Sequence, residues 1–212
     1  MKILVLGGTG AAGSRIAREA RDRGHQVGVA SRRGADTTMD LTGMTALALD
    51  ASISTRLLCV TRAHDAVVLS VRSQTTRPEG IVAVTQRVAT AARRSGRRLV
   101  VVGGAGPLQV PGTTTLAIDD PRYVPSAALP AASASIRQLS ALREVGGEWV
   151  YFAPPARFKP GPRRGTYATA DGDLVVDSDG ASSISMEDFA IALVDELEAP
   201  GPSQRVVAVG QR

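Results

Sequence analysis

Hydrophobic and polar positions along the chain switch repeatedly between a strand period and a helix period. Residues 2–6 form a short apolar run, rich in branched side chains and bounded by glycine, which is the pattern of a buried strand. Residues 11–23 then put Ile16, Ala17 and Ala20 on one helical face and Arg15, Arg18, Glu19 and Asp22 on the other, with Gly24 as the stop. Further strands are predicted over 26–30 and 45–49, a weakly patterned helix over 52–63, and a fourth strand over 65–70. Pro78 suits the first turn of a helix reaching about Arg94, with Ile81, Val84, Val88 and Ala92 facing inward. A fifth strand over 98–102 runs into Gly103-Gly104. Such alternation calls for a mostly parallel sheet covered by helices on both faces, a doubly wound α/β fold.

The pattern then loosens. Residues 107–130 are proline-studded and without period, and stretches of that length are usually functional or disordered. A helix over 132–143 and a strand over 148–152 restore the alternation, followed by a second irregular segment over 154–164. Asp171-Gly172, between short apolar runs in 166–176, predicts a hairpin. Ser185-Met186-Glu187-Asp188 resembles a capping box opening a helix to Glu198, and a last strand covers 205–209. The expectation is one domain over 1–212, with a small C-terminal extension and loops at about 104–130 and 153–183 on the substrate side.

Composition narrows the function classes. Hydrophobic residues are 43% and charged residues 21%, ordinary for a globular domain, and no apolar run is long enough to span a membrane. The apolar start is too short for a signal peptide and runs straight into glycines, so a cytoplasmic location is expected; the lone Cys59, which can form no intrachain disulfide, agrees. The net charge is +5, carried almost entirely by arginine, since Lys2 and Lys159 are the two lysines. Aromatics at 3% give no stacking platform for single strands, and Arg93-Arg94-Ser95-Gly96-Arg97-Arg98 falls where a helix ends and cations favour its dipole. No nucleic-acid partner and no membrane partner are expected.

The candidate chemistry begins at Gly7-Gly8-Thr9-Gly10-Ala11-Ala12-Gly13, between the first strand and first helix. Read from Gly8 the segment is G-x-G-x-x-G; read from Gly7 it is G-x-x-G-x-x-G. Glycine lets the backbone turn tightly and approach a pyrophosphate, while the helix N-terminus offers free N–H groups to the phosphates. Gly7, Thr9, Gly10, Ala11, Ala12 and Gly13 are therefore assigned to a dinucleotide in a Rossmann-type fold. An NAD site would place an acid after the second strand to hold the ribose 2′-hydroxyl. Ser31-Arg32-Arg33 stand there instead, with no acid before Asp36, and arginine presents a fork of donors to a 2′-phosphate. NADP(H) is thus favoured over NAD(H), with Arg32 ahead of Arg33.

With these segments in place the chain resembles the atypical short-chain dehydrogenase/reductases, in particular the NADH-flavin reductase group related to biliverdin reductase B and, more distantly, NmrA-like proteins. The residues that carry the resemblance are the N-terminal strand and glycine turn, His64-Asp65-Ala66-Val67-Val68, Val101-Val102-Gly103-Gly104-Ala105-Gly106-Pro107-Leu108, Ala153-Pro154-Pro155-Ala156-Arg157-Phe158 and Ser182-Ser183-Ile184-Ser185-Met186-Glu187-Asp188-Phe189-Ala190. The resemblance implies an NAD(P)H-dependent reductase of flavins, quinones or a related planar acceptor. It also implies further cofactor contacts at Asp50, Ser70, Val71, Gly103 and Pro154.

The chain departs from the superfamily in its proton-transfer groups. Ordinary members use Tyr-x-x-x-Lys, but four residues after Tyr123, Tyr151 and Tyr167 stand Ala127, Pro155 and Asp171. Where biliverdin reductase B carries a serine and a histidine, Gly104 and Ala156 align. Reduction of a ketone needs a donor near the developing alkoxide, whereas hydride transfer to a flavin or quinone is mainly a matter of positioning. A flavin-like or quinone-like acceptor is therefore favoured, with no catalytic residue assigned. The alternative is a dinucleotide-sensing regulator of NmrA-like type without turnover; an epimerase or dehydratase fits poorly without Tyr and Lys. Tyr123 and Phe158, aromatics in irregular segments, could stack a planar acceptor, and Arg72 could meet an anionic acceptor or a cofactor phosphate. His25 and His64 precede strands at the far end from the cleft and read as turn residues, and no metal ligand set is found. Ser70 and Ser133 lack the surroundings of a nucleophile, Trp149 reads as core, and the aspartates over 171–179 read as solvated loop. Oligomeric state is not legible.

Overall fold

The computed structural model describes residues 1–35, 38–71 and 79–211. Strands β1 (Lys2–Leu6), β2 (Gln26–Ser31), β3 (Thr45–Ala48), β4 (Ala66–Leu69), β5 (Arg98–Val102), β6 (Trp149–Ala153), β8 (Ala168–Asp171) and β10 (Arg205–Gly210) build one sheet in the order β3-β2-β1-β4-β5-β6-β10-β8. All neighbours run parallel except the antiparallel edge pair of β10 and β8. The order reverses between β1 and β4, the switch point beside which such sheets bind ligands. Helices α1 (Ala11–Asp22), α2 (Leu57–Arg62), α3 (Glu79–Ser95), α4 (Leu129–Val145) and α5 (Met186–Glu198) cover it.

Alternation along the central strands sends side chains to two faces. Ile3, Val5, Val68, Val100 and Phe152 pack with Ile16 of α1 and with Phe189 and Leu193 of α5. Leu4, Leu6, Leu69, Val101 and Tyr151 pack on the opposite face with Val88 of α3 and Leu139 and Leu142 of α4. Both clusters contain strand residues that are completely buried, as a doubly wound sheet requires.

Several expectations need correction. No hairpin forms about Asp171-Gly172: β8 pairs instead with β10, from Val207 opposite Asp171 to Gly210 opposite Ala168, and Asp173 then bridges to Gln109. The unpaired flank of β10 was the available partner, and pairing there completes more of the backbone than a free hairpin would. The helix expected over 52–63 shortens to α2 because Asp50 holds the preceding turn, accepting from the backbone N–H of Ser52 on its carboxylate and from those of Ile53 and Ser54 on its carbonyl. α4 starts three residues earlier than expected, with Pro130 in its first turn, where a missing N–H costs nothing. The periodless stretch 107–130 carries two 3₁₀ turns, Ala117–Asp119 and Ser126–Ala128. A second, two-stranded sheet pairs β7 (Arg157–Lys159) with β9 (Ser183–Ser185) in parallel. Pro78 lies outside the described residues.

The cap of α5 forms as expected at Ser185, whose Oγ accepts from the Asp188 N–H at 3.0 Å. Asp188 does not complete a reciprocal box. Its buried carboxylate accepts from the backbone N–H groups of Arg164 and Gly165 at 2.7 and 2.9 Å, tying the 157–165 segment to α5.

Candidate dinucleotide cleft

The turn after β1 is shaped by contacts that only glycine permits. Gly7 has φ +79°, and a Cβ there would collide with the Ser70 carbonyl at the end of β4. A Cβ on Gly13 would strike the Gly7 carbonyl, so the first turn of α1 lies directly against the loop that precedes it. Gly10 stands at the N-cap of α1 with extended backbone and no side-chain cap, and the first turn carries no acid. The leading N–H groups of α1 thus remain available to an anion at the positive end of the helix dipole.

A cleft of about 650 Å³ opens from this helix end. Gly10, Ala11 and Ala12 border it on one side, Ser70 and Val71 behind β4 on the next, and Gly103 behind β5 and Pro154 behind β6 beyond them. Tyr123 and Phe158 close the far side. The structure therefore brings together nine of the residues proposed from sequence. Gly7, Thr9 and Gly13 shape the turn without lining the cleft. Arg72 lies outside the described residues.

Arg32, Arg33 and Asp50 sit apart from the cleft lining, at the ends of β2 and β3. Both arginines are exposed. Asp50 accepts from the Ser52 hydroxyl and N–H, and chiefly those bonds, with the charge of Arg32 adding, hold its carboxyl below the usual carboxylate range. Arg32 and Asp50 are thereby electrostatic neighbours at the mouth between the two strands.

The aromatic pair is anchored rather than loose. Tyr123 is buried apart from its cleft face, and its hydroxyl donates to the Gly180 carbonyl at 3.1 Å, while the Arg122 guanidinium stands 5.3 Å from its ring centre. Phe158 packs at 4.7 Å on Phe189 of α5, centre to centre. Among the described residues lining the cleft, Tyr123 is the one titratable side chain, and Gly104 and Ala156 leave their positions without a donor. His25 and His64 lie at the opposite end of the sheet: His25 meets the N-terminus and Glu198, and His64 caps α2 through the Val60 carbonyl. Among the described residues no group of side chains has the composition of a metal site.

Sequence reasoning missed the contribution of α4. Ser135 and Gln138, buried and three residues apart, line the cleft, and Gln138 donates to Thr85 of α3 at 3.3 Å. The available signal was two polar residues on the inward stripe that also holds Leu139 and Leu142. Tyr151 was missed as well. It lies under the cleft floor, its ring occupying the space a side chain on Gly103 would need.

A family described as NAD(P)H-binding matches residues 7–200, which include every cleft residue named above. This chain belongs to that family. Three solved structures share its whole architecture. A protein from Streptococcus pneumoniae designated a candidate NADH-flavin reductase is 27% identical, with all of both chains covered and a TM-score of 0.89. A candidate exported protein from Burkholderia pseudomallei is 34% identical over 99% of both chains, with a TM-score of 0.86. A candidate epimerase from Bacteroides thetaiotaomicron is 29% identical, covering 99% of this chain and 96% of its own, with a TM-score of 0.88. Their names point to different activities and destinations, so membership fixes the nicotinamide cofactor class and the site must decide the rest. Among the described residues no helix of this NAD(P)H-binding protein is long and apolar enough to cross a membrane.

Proposed function

We propose that this protein is an NADPH-dependent oxidoreductase that delivers hydride to a flavin, a quinone or a similar planar acceptor. The observation that carries the reading is the continuity of the cleft, which runs from the uncapped N-terminus of α1 to the anchored aromatic pair Tyr123 and Phe158. The glycine turn and α1 would bind the pyrophosphate, Arg32 the 2′-phosphate, and Ser70, Val71, Gly103 and Pro154 the nicotinamide half. When bound, the cofactor supplies a hydride. The chain holds the acceptor flat between Tyr123 and Phe158, and the small side chains of α4 and of the loop after β5 let it approach closely. Among the described residues lining the cleft the one titratable group is Tyr123, whose hydroxyl is committed to the Gly180 carbonyl, so a conjugated acceptor, whose proton can come from water, fits better than a ketone. The relative named for NADH-flavin reduction supports the same acceptor class.

The test is NADPH consumption by purified protein with FMN, riboflavin and a quinone panel. Turnover with one of these is the expected result. Tight NADPH binding without turnover across the panel would instead identify a dinucleotide sensor. Arg32→Ala should lower NADPH affinity about ten- to hundredfold while leaving NADH affinity nearly unchanged, from the ~1.5–3 kcal/mol of a hydrogen bond to a charged group. An unchanged NADPH/NADH ratio would remove Arg32 from the 2′-phosphate site.

A further inference from the structure

The floor of the cleft is set by a buried hydroxyl that no cofactor can touch directly. Tyr151 is fully buried in β6, and burial pushes its phenol well above the ordinary range, so it stays neutral and can both accept and donate. It does both. Its oxygen accepts from the Gly104 N–H at 3.0 Å, and its O–H donates to the Ser135 carbonyl of α4 at 3.0 Å. One phenol thus joins β6, the loop behind β5 and the helix that forms the cleft wall.

These bonds have a consequence for the peptide between Gly103 and Gly104. In a trans peptide the N–H and C=O point in opposite directions. With the Gly104 N–H turned toward Tyr151, the Gly103 carbonyl faces away from it. The sheet does not claim that oxygen either. The Gly103 N–H closes the last rung between β5 and β6 by donating to the Phe152 carbonyl at 3.0 Å, and the next rung would need an N–H at position 154. Pro154 has none. Gly103, Gly104 and Pro154 all line the cleft. Among the described residues no hydrogen bond to the Gly103 carbonyl is found.

We infer that Tyr151 is a positioning residue which, through the Gly103–Gly104 peptide, presents the Gly103 carbonyl oxygen as the acceptor for a donor on the nicotinamide riboside half of the cofactor. The inference rests on the dinucleotide reading of the cleft. In that reading the adenosine half lies over β2 and β3, and the nicotinamide half lies across the switch point over β4, β5 and β6. The carbonyl stands on the nicotinamide side. The donors it could serve are the carboxamide NH₂ and the ribose hydroxyls. Tyr151 itself touches none of them.

Two variants and two ligands test this. Tyr151→Phe frees the Gly104 N–H and lets the peptide rotate. Pro154→Ala leaves Tyr151 alone but supplies the missing N–H, so that the rung closes and the Gly103 carbonyl is consumed. Each should weaken NADPH about three- to tenfold by calorimetry, while affinity for 2′,5′-ADP, which carries only the adenosine half, stays within twofold. Thermal unfolding of each variant provides the check on folding. Should Tyr151→Phe fail to fold, Pro154→Ala alone decides the matter. Equal loss of both ligands, or loss of neither, would overturn the positioning role and leave the dinucleotide reading intact. A wild-type protein that binds neither NADPH nor NADH would overturn both.

Discussion

Gly13→Ala pits two effects of opposite sign against each other. Gly13 is the third residue of α1, and an alanine in a helix is favoured over glycine by about 1 kcal/mol. Against this, the added Cβ would lie well inside contact distance of the Gly7 carbonyl oxygen and 3.0 Å from the Gly8 Cα. These are backbone atoms of the turn and cannot rotate away. Gly7 is itself fixed because its own missing Cβ faces the Ser70 carbonyl. Relief therefore requires α1 to move off β1, and overpacking of this kind costs about 1–3 kcal/mol. The net expectation is destabilisation by about 1–2 kcal/mol, with NADPH affinity reduced more than tenfold because the displaced helix end carries the N–H groups to which the proposed function assigns the phosphates. Gly80→Ala in α3 is the control: no described atom lies within 4 Å of its Cβ position, so it should stabilise by up to about 1 kcal/mol and leave binding alone. Urea unfolding with an NADPH titration on each variant reads both quantities. If Gly13→Ala were as stable as Gly80→Ala and bound NADPH normally, the close approach of helix and turn would not be what shapes the site.

Two further expectations concern the ties between α5 and its surroundings. Burial alone would raise the Glu187 carboxyl, but Arg15, at 2.5 Å, and the Gly161 N–H, at 2.8 Å, outweigh it and hold the group below its ordinary range. A depressed carboxyl contributes stability that is present above the unfolded value of about 4.3 and is lost as pH falls further. Glu187→Gln should therefore be less stable than wild type at pH 7, with the gap closing below about pH 4 in thermal scans; a constant gap would mean the ion pair is not its source. Tyr167 donates to Asp195 at 2.5 Å, and burial first, then that carboxylate, push its phenol up to about 12. A raised phenol contributes stability that is present below about pH 10 and is lost as pH climbs to 12. Tyr167→Phe should cost about 1–3 kcal/mol at pH 7 and flatten the alkaline decline; an unchanged decline would place its cause elsewhere.

What the sequence made legible was whatever depends on neighbours along the chain. The first strand, the glycine turn and α1 are contiguous, and their period, stop signals and spacing are visible without any partner. The same holds for Ser185 as the cap of α5. Pairings over distance were not visible. β8 looked like half of a hairpin because Asp171-Gly172 is a turn signal, yet its partner is the free edge of β10, more than thirty residues downstream. β7 and β9 pair across a segment that contains β8 of the main sheet, and neither is long enough to announce itself. Tyr151 sits in the run Trp149–Ala153, which is wholly buried, so its hydroxyl was indistinguishable from core filling until Gly104 and Ser135 came within reach.

The cleft itself is built largely from residues that lack side chains worth truncating. Most of its lining is glycine, alanine and proline, with Ser70, Tyr123, Ser135 and Gln138 as its polar side chains. Shape and hydrogen bonding there come from how closely main chain approaches main chain: Gly13 on Gly7, Gly7 on Ser70, and Gly106 on the Ala132 carbonyl at 2.6 Å for a Cβ that is not there. An alanine scan would pass over such a site, because it removes side chains and this site has few to remove. Substitutions that add a methyl or return an N–H act on the features that do the binding. Tyr151 ties the loop after β5 to α4 through Gly104 and Ser135, and Gln138 ties α4 to α3 through Thr85, so variants of these two side chains should act through geometry and show in binding before they show in stability. In the function proposed above, such a cleft would discriminate by fit to a flat, closely approaching ligand and leave the 2′-phosphate to Arg32, which stands apart from the lining at the end of β2.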